Sequence, residues 1–316
     1  MHSEISTKLL AAGAAGALLA SLTACSDDPG GAAGVQVVTT VYPLEWLASR
    51  IAGDHASVTN LTEAGADPHE VELSPRQIGV IADADVVLHI GGMQPAIDEA
   101  VDLHAADHSL DAAEVVDLLP APGAGHGDHG GTEHHGEESG AHGGVDPHLW
   151  LDTDRLAALA GELADRLGET DPDHAAAYRE NHDTTVAELA ELGAAYTDGL
   201  TGCARRELVV AHAAFGYLAD AHGLEQISVT GLDSHEEPSP ARIAEVVHAV
   251  EEHGVTTVFT SPLTDPSIAE TVAGETGAEV AVLDPLESLT EESPGTDYPS
   301  VMRANLDSLT TALDCS

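Results

Sequence analysis

The chain has 316 residues and carries 55 acidic against 10 basic side chains, a formal net charge of −45. A field of that sign repels phosphate backbones and anionic headgroups, which excludes nucleic acid as a partner. It draws divalent cations weakly to the whole surface, and the same acidity is equally what adaptation to a salty or acid-proteome host yields.

Residues 1–25 read as a targeting signal. Lys8, the only lysine, precedes an apolar run over 9–24 that is short for a membrane span. The run ends in Leu22-Thr23-Ala24-Cys25, which resembles a bacterial lipobox. Cys25 is then the lipid anchor and mature N-terminus, and 26–34 a flexible tether. The chain is expected on the outer face of the bacterial cytoplasmic membrane, held there by lipid. With Cys25 set aside, Cys203 and Cys315 remain as a candidate disulfide in an oxidising compartment. One sequence does not show that they meet.

The mature part, about 290 residues, suits two domains better than one. Strand-like runs fall at 35–40, 58–61 and 86–90, with a weaker one at 115–118, and again at 207–211, 226–230, 256–260 and 279–283. Helices open between them at Ser74-Pro75, Ser239-Pro240 and Asp265-Pro266, each a cap residue followed by proline, and the last helix covers 298–313. This alternation is that of α/β folds with parallel sheets. Between the halves, 171–200 reads as one helix on the order of 40 Å long. The expected organisation is an N-terminal α/β lobe over 35–170, the long linking helix over 171–200 and a C-terminal α/β lobe over 201–316.

Histidine is the chemical signal. His126, His129, His134, His135 and His142 crowd a Gly-rich acidic stretch, 123–144, too polar to bury itself and read as a disordered loop for auxiliary metal capture. Ligands of open α/β sheets gather beyond the carboxyl ends of strands. Three histidines and one aspartate occupy such places: His69 in Ala66-Asp67-Pro68-His69, His148 in Asp146-Pro147-His148, His212 directly after strand 207–211, and Asp284 directly after strand 279–283. Three imidazoles and one carboxylate fill a four-coordinate shell, which suits tight binding rather than catalysis. Glu70 or water are the alternatives to Asp284. His235, in a loop beyond a strand, is a secondary candidate.

At these residues the chain resembles the solute-binding lipoproteins of zinc and manganese ABC importers. The matching segments are TTVYPLEWLASRIAGD, GADPHEVELSPRQ, DPHLWLD after the His-rich insert, AHAAFGYLADAHGL, EEPSPARIAEVV and TGAEVAVLDPL, in the family's order over nearly the whole mature chain. The resemblance implies two α/β lobes, each a small mostly parallel sheet flanked by helices, joined by one long backbone helix with metal in the cleft. The family's ligand motifs fall on His69, His148, His212 and Asp284. Manganese-type members tend to carry a carboxylate where His212 stands, so the third imidazole and the His-rich insert favour Zn²⁺ over Mn²⁺. A monomeric, non-enzymatic carrier is expected, handing zinc to an ABC permease driven by a separate ATPase, since the chain has no GxxxxGK[ST] phosphate loop. The alternatives are a manganese or iron importer component and a surface metal buffer or adhesin. A secreted zinc hydrolase is disfavoured by the absence of HExxH.

Overall fold

A computed structural model describes residues 34–122, 144–232 and 237–316. Eight short strands lie between turn signals, most of them rich in β-branched residues. They are β1 (Val35–Thr39), β2 (Ala56–Asn60), β3 (Val86–His89), β4 (Ser109–Asp111), β5 (Glu207–Val210), β6 (Glu225–Ser228), β7 (Thr257–Thr260) and β8 (Glu279–Val282). They form two wholly parallel four-stranded sheets with the same winding, β2-β1-β3-β4 and β6-β5-β7-β8. Parallel pairing needs crossovers, and helices supply them.

In the first lobe these are α1 (Tyr42–Ala52), α2 (Pro75–Ala82), α3 (Pro95–His104), the single turn α4 (Ala112–Val115) and α5 (Thr153–Thr170). Then come α6 (Ala175–Gly199), α7 (Gly216–His222), α8 (Pro240–His253), α9 (Ser267–Thr276) and α10 (Tyr298–Ala312). Local signals set their starts. Ser74 and Gln77 make a capping box under α2, and Ser239 Oγ accepts the Arg242 N–H under α8. Gly254 ends α8 at φ 64°, a left-handed stop that glycine adopts without strain.

The first sheet's fourth strand is Ser109–Asp111, not 115–118. Asp111 accepts the Ala113 N–H and starts α4, so Val115 closes a helical turn instead of joining the sheet. Val115, Val116 and Leu118 owe their apolar character to packing on the core. The long helix starts at Ala175 rather than 171, because Asp171 closes α5 and its carboxylate takes the His174 imidazole and the Tyr178 hydroxyl. At 25 residues α6 is about 37 Å long. It packs on α1 and α5 of the first lobe and on α10 of the second.

The lobes share one hydrophobic core. Leu47, Trp150, Tyr178, Tyr196, Tyr217 and Tyr298 are all fully buried in it. Smaller clusters seal the outer faces: Val38, Ile81 and Val87 in the first lobe, Val209, Val246 and Val258 in the second. Polar ties cross the cleft. Trp46 stacks on Tyr298 at 4.7 Å between centroids, Trp150 Nε1 donates to Pro285 O at 2.7 Å, and the Tyr298 hydroxyl donates to Trp150 O at 2.6 Å. Cys203 and Cys315 are disulfide-bonded, tying the start of the second lobe to the end of α10. Among the described residues no helix is long and apolar enough to cross a membrane.

Candidate metal centre

Two Asp-Pro-His turns carry the first two imidazoles. In each, proline fixes its own φ and the aspartate folds back on the backbone N–H two residues on. Asp67 Oδ1 accepts the His69 N–H at 2.8 Å, and Asp146 Oδ1 accepts the His148 N–H at 2.9 Å. Buried Gln94 fixes the first turn by donating from Nε2 to Pro68 O at 2.9 Å. Asp146 also lies 2.7 Å from His148 Nδ1, which turns Nε2 into the cleft. Gly216, at the start of α7, admits this carboxylate: a Cβ there would come within 2.5 Å of Asp146 Oδ2. The third imidazole, His212, lies two residues past β5, at the carboxyl end of a central strand.

All three rings point Nε2 at one oxygen. Glu287 Oε1 lies 2.8 Å from His69, 2.9 Å from His148 and 3.5 Å from His212. The four side chains are 3 % exposed or less. A buried carboxylate is tolerated only with compensating charge or hydrogen bonds. Burial would push the Glu287 carboxyl up, but the nearby His212 and hydrogen bonds from His148 and His69 hold it well below the usual range. Burial alone would lower His148; the Asp146 charge and hydrogen bond and Glu287 outweigh it and raise it to about 9.

The donor set fits a small divalent cation. Tetrahedral ligands at about 2.0–2.2 Å from zinc sit roughly 3.3 Å from one another, close to the separations between Glu287 Oε1 and the three nitrogens. The donor atoms of His69, His148 and Glu287 lie within 4.8 Å of one another, the single such group among the described residues. Glu287 Oε2 is buried without a hydrogen-bond partner, leaving a second oxygen for a cation.

The structure therefore brings together His69, His148 and His212 of the expected set, but the oxygen they face belongs to Glu287. Asp284 spends its Oδ1 on the Leu286 N–H, at 2.8 Å within its own loop. Glu70 is exposed at the end of the 3-10 turn Pro68–Glu70. Glu287 lies three residues past the strand-end position that pointed to Asp284. The repeated Asp-Pro turn marks the loop but not the residue: at 67 and 146 the donor directly follows the proline, and at 284 it comes one residue later. His126, His129, His134, His135, His142, His235 and Cys25 lie outside the described residues.

Two parallel-sheet lobes with a buried cluster of three imidazoles and a carboxylate at their facing loops define a two-lobed solute-binding protein with a cation-sized site. A sequence profile of the periplasmic zinc-uptake complex component A (ZnuA) matches residues 37–312, and the chain belongs to that family. It is 35 % identical over 296 residues to the zinc-binding lipoprotein AdcA of Streptococcus pneumoniae, covering 93 % of this chain and 58 % of that protein. It therefore spans little more than half the length of that relative. It is 30 % identical over 289 residues to the high-affinity zinc uptake system protein ZnuA of Bacillus subtilis, covering 88 % of each. The Zn(II)-bound ZnuA-like domain of S. pneumoniae AdcA superposes with a TM-score of 0.72 at 32 % identity, over 89 % of this chain and 99 % of that one.

Proposed function

We propose that this chain is the extracytoplasmic zinc-binding component of an ABC importer, with Zn²⁺ as cargo held by His69, His148, His212 and Glu287. The observation that carries this reading is the convergence of three buried imidazole nitrogens on one buried carboxylate oxygen. Zinc takes the place of the hydrogen bonds that His69 and His148 make to Glu287, and Asp146 keeps His148 oriented throughout. A shell of three nitrogens and one oxygen favours zinc, whereas manganese prefers oxygen-rich shells. The name of the B. subtilis relative, a zinc uptake system protein, supports delivery to a membrane permease powered by a separate ATPase. Lipidation at Cys25 keeps the monomer at the membrane, and His126, His129, His134, His135 and His142 act as auxiliary captors that pass zinc to the cleft.

Metal analysis of the purified mature protein, followed by competition, tests this. One zinc per chain that excess manganese does not displace is expected. Preferential manganese retention, or zinc lost on deleting 126–142 but kept without His69 and His212, overturns it.

A further inference from the structure

Leu286, the residue before Glu287, has φ 62°, in the left-handed region that is strained for a residue carrying a side chain. It is fully buried, and a ring of contacts holds it there. Asp284 Oδ1 accepts its N–H at 2.8 Å. Asn305, on α10, grips Asp284 from both sides: its Oδ1 accepts the Asp284 N–H at 2.9 Å, and its Nδ2 donates to Asp284 O at 2.6 Å. Trp150 holds Pro285 O. All of these side chains are buried, and the Asp284 Oδ1, Asn305 amide and Trp150 indole groups spend their hydrogen bonds on this turn.

The same device stands at the two other Asp-Pro turns beside the site. There too the aspartate accepts the N–H two residues on, and the residue so placed carries a donor that faces the cluster. At Asp284 the donor comes one residue later, and the left-handed step at Leu286 supplies the extra rotation. Were Leu286 to relax to negative φ, the chain would leave in another direction and carry the Glu287 carboxylate away from His69, His148 and His212.

We infer that Asp284 is a positioning residue for Glu287: its carboxylate holds the left-handed turn at Leu286 that aims Glu287 Oε1 at the imidazoles, and it does not itself bind the ion. This rests on Glu287 being a zinc ligand. A double-mutant cycle on the full chain tests it, reading zinc affinity by chelator competition and the d–d absorption of the Co²⁺-substituted protein. Asp284→Ala should weaken zinc roughly 10–100-fold, the loss usual for a residue that orients a ligand. It should also change the cobalt spectrum in the way that Glu287→Ala does. Asp284→Asn, whose amide oxygen still accepts the Leu286 N–H, should stay within about threefold of the parent. Asp284→Ala added to Glu287→Ala should cost nothing more. If Asp284→Ala does not fold, Asp284→Ser, with a weaker acceptor for the same N–H, takes its place in the cycle. Additive losses, or Asp284→Asn as damaging as Asp284→Ala, overturn the inference and make Asp284 a ligand in its own right. Full affinity in Glu287→Ala overturns it differently, by removing the ligand assignment beneath it.

Discussion

His148 Nδ1 lies 2.7 Å from Asp146 Oδ1, and this pair decides which nitrogen of the ring is left for an ion. With Nδ1 facing a carboxylate, the ring is fixed in orientation and Nε2 gains basicity. Asp146→Ala should therefore weaken zinc binding by about 10–100-fold while leaving the secondary structure intact. Asp146→Asn, still able to accept from Nδ1–H, should lose less. Competition against a chelator of known strength separates the two, and equal losses in both variants would mean that the charge, not the orientation, is what matters.

The raised proton affinity of His148 has a sign that can be followed. Its pKa of about 9 means that the metal-free protein holds this proton at neutral pH, opposite Asp146 and Glu287. Zinc takes only the neutral ring, so binding must expel the proton. Affinity should rise with pH up to about 9 and level off above it, and should fall on acidification by about tenfold per pH unit for each proton displaced. Calorimetry in two buffers of different ionisation enthalpy, near neutral pH, counts the protons. A count of zero, with affinity flat across the neutral range, rules out His148 as the protonated partner.

The strands at the centre of each sheet were readable because β3 and β5 are short apolar runs bounded by turn residues and buried on both faces. Residues 115–118 show the same local chemistry without a sheet partner, and apolar content alone cannot tell the two apart. Three of the four converging side chains were readable for a related reason: His69 and His148 follow Asp-Pro turns, and His212 follows a strand end. Glu287 was not, because the direction of its carboxylate depends on the left-handed backbone at Leu286. Leucine gives no sign of that conformation, which in most proteins belongs to glycine or asparagine. The contacts that impose it come from Asn305 and Trp150, distant in sequence.

Across the cleft mouth, the Gly65 N–H donates to Ser288 Oγ at 2.7 Å, joining the loop before His69 to the loop after Glu287. Release of the ion by opening of the lobes would break this bond. Ser288→Ala removes the acceptor without touching a ligand. Losing about 1 kcal/mol, the net worth of an ordinary hydrogen bond whose exposed donor can turn to water, corresponds to zinc leaving roughly fivefold faster. Stopped-flow release into excess chelator measures this. An unchanged off-rate would show that the hydrogen bond re-forms to water before the ion departs.

The disulfide acts at the opposite end of the second lobe from the candidate site. Cys203 precedes β5, whereas His212 follows it, and Cys315 lies beyond α10. The bond joins residues 112 apart in sequence, so its removal frees a long loop in the unfolded chain. The entropy model gives a loss of roughly 4–5 kcal/mol for a closure of this size. Cys203→Ser with Cys315→Ser should therefore lower the melting temperature of the metal-free protein by many degrees. Zinc affinity at a temperature where both forms are folded should hold, since the ligand loops lie at the other ends of the strands. Calorimetric melting paired with zinc titration reads both quantities. A loss of affinity matching the loss of stability would show that the second lobe behaves as one cooperative unit from Cys203 through to Glu287.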